Sequence, residues 1–204
     1  MSSNPYEIIK HFEECVAKYT NAPFAASVDN CTDALFLCCK YLKTKQVTIP
    51  KETYLSVPQT IMHAGAEVVF EDRDWSGCYQ LKPYPIYDSA KRLTSDMYMP
   101  GTFMCLSFHI KKTLPMGKGG MILCDSEEAY EWFKAARYEG RVWTSEGEKN
   151  DITTLGWNMY MTPEQAAHGL ALMQNYPKYV ADLGEDNGYR DLTEFTLFKD
   201  CKVI

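Results

Sequence analysis

Residues 102–124 read TFMCLSFHIKKTLPMGKGGMILC. Two apolar runs, 102–108 and 121–124, are predicted strands, and a loop rich in Lys and Gly joins them. A lysine held between two apolar strands is placed for burial, which favours the neutral amine that attacks a carbonyl. Lys112 is the candidate. Ser107, on the same turn, can donate to a phosphate, and Gly119 and Gly120 let the backbone pass close to a ligand or a neighbouring strand. Taken alone, the same residues also read as a solvated basic hairpin.

Working outward, strands alternate with helices. Residues 5–20, opening with Pro5, place Ile8, Ile9, Phe12, Val16 and Tyr19 at helical spacing. Residues 24–28 read as a strand that runs into the capping residues Asp29, Asn30, Cys31 and Thr32 and a helix over 33–42. A strand over 47–49 ends at Pro50, a helix over 57–64 ends at Gly65, and 67–71 is a further strand. Residues 86–87 form a short strand ending at Asp88. Ser126 caps a helix to Tyr138, with Glu127 and Glu128 in its first turn, and Thr162-Pro163-Glu164 opens another. This order predicts an α/β domain on a largely parallel sheet. Residues 1–181 are expected to form that domain, and the polar, weakly periodic residues 182–204 a C-terminal extension.

Composition narrows the function classes. A net charge of -6 with no run of Lys or Arg argues against nucleic-acid binding. No apolar stretch approaches the roughly 20 residues needed to cross a bilayer, and the polar N-terminus carries no signal pattern, so a cytoplasmic protein is expected. The eight cysteines contain no C-x-x-C, and most lie in apolar runs, which reads as small buried hydrophobes in a reducing compartment. The four histidines lack ligand spacing, so no metal site is expected.

Three further stretches carry chemistry, two of them directly after predicted strands, where ligands of α/β sheets bind. At 30–35 (NCTDAL) a polar turn starts a helix and leaves N–H groups at the positive end of its dipole, which suits a phosphate; an ordinary capped helix looks the same. At 87–90 (YDSA) Asp88 ends an apolar strand, where a carboxylate is costly without a partner. A pyridinium nitrogen would be one, and a local turn cap is the alternative. At 156–167 (GWNMYMTPEQAA) spacing alone gives a loop and an Ala-rich helix start.

Together, in this order, these stretches resemble the DegT/DnrJ/EryC1/StrS family of sugar aminotransferases, of the aspartate-aminotransferase superfamily (fold type I), which use pyridoxal phosphate (PLP). The run from Ser107 to Gly120 is similar to the family's S-F-x-x-x-K…G-x-G-G and sets Lys112 on its Schiff-base lysine. The stretch at 87–90 is similar to E-D-x-A, whose Asp pairs with the pyridinium nitrogen. The 30–35 stretch resembles S-G-T-D-A-L, so Thr32 and Asp33 would bind the cofactor phosphate beside Ser107. Residues 50–54 (PKETY) resemble the turn whose aromatic ring, here Tyr54, stacks on PLP. Residues 156–167 resemble G-x-N-x-R-M…Q-A-A, whose Asn, here Asn158, reaches the neighbouring subunit's phosphate.

The resemblance implies a PLP-dependent aminotransferase that aminates a keto-sugar nucleotide, with glutamate as amino donor, in a homodimer with shared sites. A PLP-dependent sugar dehydratase or lyase is the alternative, as is a reduced PLP-binding paralogue without transaminase activity. Departures are specific. Only 73–87 stand where the family has a further strand–helix unit, and the chain ends soon after the Q-A-A helix, without the family's C-terminal small domain. Lys91 takes the place of a Gln or His beside the ring, and Tyr160 that of the Arg.

Overall fold

The computed structural model describes residues 6–141, 152, 154–184 and 188–204. Pro5 lies outside them. The described residues form, in chain order, α1 (Glu7–Thr20), β1 (Phe24–Val28), α2 (Cys31–Tyr41), β2 (Gln46–Pro50), α3 (Ser56–His63), β3 (Glu67–Glu71), β4 (Tyr79–Gln80), β5 (Ile86–Asp88), β6 (Phe103–Ser107), β7 (Gly120–Cys124), α4 (Glu127–Ala136), α5 (Pro163–Met173) and β8 (Lys202–Val203), with a 3-10 turn at Leu192–Glu194.

Strands β1-β7-β6-β5-β4 form one sheet and β2-β3-β8 a second. Reciprocal backbone bonds between Thr48 and Lys82, at 2.8 and 3.0 Å, join β2 to the chain just after β4. The two sheets thereby make one layer. Following the pairings across it, β1, β2, β3, β5, β6 and β8 run the same way, while β4 and β7 oppose them. The expected largely parallel sheet is present.

Helices cover both faces, which is why the central strands read as unbroken apolar runs. In β6 and β7, Met104, Leu106, Met121 and Leu123 meet Ile9, Phe12 and Val16 of α1 and Ala166 of α5. Cys105, Ile122 and Cys124 face the other way, toward Leu35 and Leu37 of α2, Ile61 of α3 and Phe133 of α4. Caps set the helix starts. Asn30 accepts from the Asp33 N–H, Ser126 from the Ala129 N–H, and Thr162 and Gln165 close a capping box.

Two segments depart from a plain alternation of strands and helices. Residues 73–87, expected as the remnant of a lost strand–helix unit, supply β4, which pairs antiparallel with β5, and Lys82 just after it, which bridges to Thr48 of β2. The short strand fills the gap in the layer. Of the residues after 181, expected as an extension, Asp182, Leu192 and Phe198 lie against the domain. Arg92 holds Asp182 with two bonds, at 2.9 and 2.6 Å, and Leu192 and Phe198 are buried in the core. Strand β8 then adds to β3 and covers part of its open edge. All eight cysteines are free, four of them buried.

Candidate cofactor site

Because β1, β2, β5 and β6 share a direction, their carboxyl ends open on one side of the layer. The register lines up Val28, Gly120 and Ser107 across β1, β7 and β6, and Asp88 opposite Cys105 across β5 and β6. Helix α2 begins directly after β1, and the turn carrying Thr53 and Tyr54 follows β2. The residues singled out from the sequence are therefore delivered from separate elements to one edge.

Asp88 is the centre of the site. It is only 4% exposed. The Ala90 N–H donates to its Oδ1 at 3.0 Å and the Tyr79 hydroxyl to its Oδ2 at 3.0 Å. Burial pushes the carboxyl's pKa up, while these two donors and the positive charge of Lys112 pull it back. The same Lys112 charge acts on the Cys31 thiol, whose sulfur lies 4.0 Å from Asp88 Oδ1. Burial, then the Asp88 charge, hold that thiol well above its ordinary pKa. The charge of Lys112 is thus felt at both Asp88 and Cys31, with Cys31 standing where the family motif has glycine.

The helix N-termini bring hydroxyls together. Thr32 Oγ1, in the first turn of α2, lies 2.7 Å from Ser56 Oγ, at the start of α3. The Asp33 N–H is spent on the Asn30 cap at 2.9 Å, and the Asn30 amide donates to Asp33 Oδ2 at 2.8 Å. Burial and the nearby Asp29 carboxylate raise Asp33 to about 6. Lys118 of the glycine-rich loop pairs with Asp29. Ser107 ends β6 and accepts from the His109 N–H at 3.4 Å. Gly120 meets the α2 start so closely that a Cβ there would lie 2.4 Å from the Asn30 carbonyl carbon.

Tyr54 is half exposed, and its ring stands edge-on to Tyr189, with centroids 6.3 Å apart. Tyr189 comes from the C-terminal segment and is raised to about 12 by burial and by the Asp88 charge. Lys91 is buried and turns toward that segment: Nζ donates to the Gly184 carbonyl at 3.3 Å and lies 5.4 Å from the ring centres of Trp75 and Tyr189. Asn158 is exposed, its amide donating to Glu139 Oε1 at 2.9 Å, while the carbonyl of the next residue, Met159, accepts from the Asp29 N–H at 2.8 Å.

Sequence reasoning missed Tyr79, Ser56, Trp75 and Tyr189. The first three belong to no motif quoted above, and Tyr189 lies in the residues read as an extension. Cys31 could have been noticed as the residue that replaces the motif glycine.

A buried carboxylate within the field of a lysine, hydroxyls at two helix N-termini and an aromatic turn, all at the carboxyl edge of a largely parallel sheet, mark a fold-type-I α/β domain and its candidate cofactor site. The chain belongs to the DegT/DnrJ/EryC1/StrS aminotransferase family, whose model matches residues 2–89 and 98–184. It is 24% identical to the spore coat polysaccharide biosynthesis protein SpsC of Bacillus subtilis (strain 168), over 79% of this chain and 55% of SpsC. Among solved structures it resembles Spr1654 of Streptococcus pneumoniae in its PMP form, with a TM-score of 0.71 at 20% identity over 83% of this chain and 61% of that one. The sugar aminotransferase CalS13 of Micromonospora echinospora gives 0.70 at 15% identity, over 83% and 60%. The chain thus spans little more than half the length of these relatives.

Proposed function

We propose that this chain is a PLP-dependent aminotransferase that aminates a keto-sugar nucleotide, with glutamate as amino donor. The observation that carries the reading is Asp88, a buried acid that needs a cationic partner, lying within the field of Lys112, an amine of the signature loop. A protonated ring nitrogen answers the first need and an aldehyde the second. The hydroxyls of Thr32, Ser56 and Ser107 suit the phosphate. The residues present therefore fit the cofactor, and Spr1654 has been solved in PLP and PMP forms.

When bound, PLP supplies an electron sink for the amino acid's Cα–H bond. The protein does the rest. Lys112 Nζ would hold the cofactor's aldehyde carbon and, as a free amine, would serve as the base for the donor's Cα proton. Asp88 keeps the ring nitrogen protonated. Tyr54 covers one face of the ring. Thr32, Ser107 and the first turn of α2 around Asp33 would hold the phosphate, and Lys91, which takes the place of the family's Gln or His, would lie on the ring's side of the site with its ammonium turned to the C-terminal segment. Asn158, exposed at the surface, completes the phosphate site of a second subunit in a homodimer of C2 symmetry, the commonest arrangement. The lysine at position 112 favours amino transfer over dehydration, because family members that dehydrate sugars replace that lysine by His. A cytoplasmic location suits such an enzyme, and no helix of the described residues is long and apolar enough to cross a membrane.

The test is the absorbance spectrum of the purified chain supplied with PLP. A band that borohydride quenches and that Lys112→Ala abolishes is expected, and its absence in the parent overturns the reading. Glutamate should then convert the band to that of the aminated cofactor. A band unmoved by glutamate or other amino donors leaves cofactor binding without transfer.

A further inference from the structure

Asp88 sits where a carboxylate is hardest to keep ionised. It is buried, and its Oδ2 takes the bond at 3.0 Å from the Tyr79 hydroxyl. Tyr79 is itself 4% exposed, and it lies directly opposite Asp88 in the antiparallel pair of β4 and β5, so both side chains leave the same face. The Tyr79 oxygen is also 2.6 Å from Thr53 Oγ1, and Thr53 is 2% exposed. The direction of these bonds follows from donor inventory. An ionised carboxylate can only accept, so the single phenolic proton goes to Asp88 and Thr53 must donate its own to the phenolic oxygen. The result is a buried chain of donors, Thr53 to Tyr79 to Asp88, in which each bond polarises the next. Trp75 packs edge-on against the Tyr79 ring at 4.7 Å and anchors its own Nε1 on the Glu52 carbonyl at 2.9 Å, which fixes the phenol.

We infer that Tyr79, backed by Thr53, is a positioning residue that orients Asp88 and keeps it ionised to face the ring nitrogen of the cofactor. The inference rests on the proposed function for the role of Asp88. Its origin is local to this chain: β4, which carries Tyr79, stands where the resemblance implies a missing strand–helix unit, so the residues that close that gap also supply the donor. The other groups within reach of Asp88 do not replace it. Cys31 from α2 offers a weak thiol donor at 4.0 Å, Cys105 lies alongside on β6, Tyr189 arrives from the C-terminal segment, and Lys112 acts through its charge. Without the phenol, Oδ2 is a buried acceptor lacking its donor, and the carboxyl takes up a proton more readily. A protonated Asp88 no longer holds a proton on the ring nitrogen.

The experiment reads the Asp88 carboxyl directly, in the chain without added PLP. Carbon-13-labelled aspartate is titrated by NMR in the parent, Tyr79→Phe and Thr53→Val, with Asp88→Asn to identify the signal. Tyr79→Phe should raise the Asp88 midpoint by about one pH unit, the size of a lost charge-assisted bond, and Thr53→Val should raise it by less. With PLP and glutamate, Tyr79→Phe should lower the rate of the half-reaction while leaving the glutamate KM near the parent's. An unmoved midpoint in a Tyr79→Phe chain that melts like the parent overturns the assignment and makes Tyr79 a packing residue. Should Tyr79→Phe fail to fold, Thr53→Val decides alone by the same criterion. Failure of the parent to develop a cofactor band would instead overturn the proposed function, and the titration distinguishes the two failures because it needs no cofactor.

Discussion

The Tyr189 ring stands edge-on to Tyr54, centroids 6.3 Å apart and planes at 61°, and stacks at 14° on Trp75. A C-terminal segment thus brings a ring to Tyr54 and Trp75, within the field of the Asp88 charge. Its position depends on anchors further along. Leu192 donates its N–H to the Lys51 carbonyl at 2.9 Å, and the buried Phe198 ring meets Phe70 with centroids 5.9 Å apart. Phe198→Ala is therefore expected to cost about 3–5 kcal/mol, the range for truncating a buried aromatic, measured by urea unfolding. A loss under about 1 kcal/mol would mean that the segment is loosely attached and that Tyr189 is no fixed wall of the pocket.

The glycine pair of the signature loop makes a second, sharper expectation. Gly120 opens β7 against the start of α2, and an added Cβ would lie 2.4 Å from the Asn30 carbonyl carbon and 2.6 Å from the Cys31 nitrogen. Those are backbone atoms, so no side chain can swing aside. Gly120→Ala should cost about 2 kcal/mol or more through overpacking and move the α2 N-terminus away from the strand. Thermal unfolding reads the first effect and PLP titration the second. A variant with parental melting and parental affinity would show that α2 has room to shift.

How much of this is legible in the sequence differs by residue, for physical reasons. Strands 24–28 and 67–71 are legible to the residue, since each is an apolar run bounded by turn or polar residues. Asp88 is legible as a carboxylate ending an apolar run, and it does end β5. Strand β4 is not legible, because two residues carry no period and their pairing is set by a partner in the folded sheet. Strand β8 is equally short and exposed. Tyr79, Trp75 and Tyr189 gain their meaning only from distant segments: Tyr189 meets Tyr54 across most of the chain. The break of direction at β7 is also invisible, since apolar runs read alike forward and backward.

Asp88 itself predicts a rate effect separable from binding. Asp88→Asn keeps the volume and one acceptor for Tyr79 or Ala90, so the borohydride-sensitive band should persist. The amide cannot hold a proton on the ring nitrogen, and losing such a preorganised electrostatic contact slows reaction by roughly a hundredfold. Single-turnover mixing with glutamate measures it. Equal rates in variant and parent would remove Asp88 from its assigned role.

Asp33 makes the pH dependence specific. Its folded pKa is raised from 3.8 to about 6, first by burial and then by Asp29, with the Lys118 charge and the Asn30 amide pulling the other way. The sign follows from proton counting. Between those two values the folded chain holds a proton that the unfolded chain has lost, so this group makes stability fall as pH rises through that window. Asp33→Asn keeps an oxygen for the Asn30 amide and removes the ionisation. Its melting temperature relative to the parent should therefore climb between about pH 4 and about pH 7 and level off above. The same carboxyl flanks the turn proposed to hold the cofactor phosphate, where a second negative charge repels the ligand. PLP affinity should weaken in the parent as pH rises through about 6, more steeply than in Asp33→Asn, and calorimetric titration of both across that range cancels the phosphate's own ionisation, whose second pKa is also about 6. Parallel pH profiles for the two proteins would place the bound phosphate away from Asp33 and confine the side chain to capping α2.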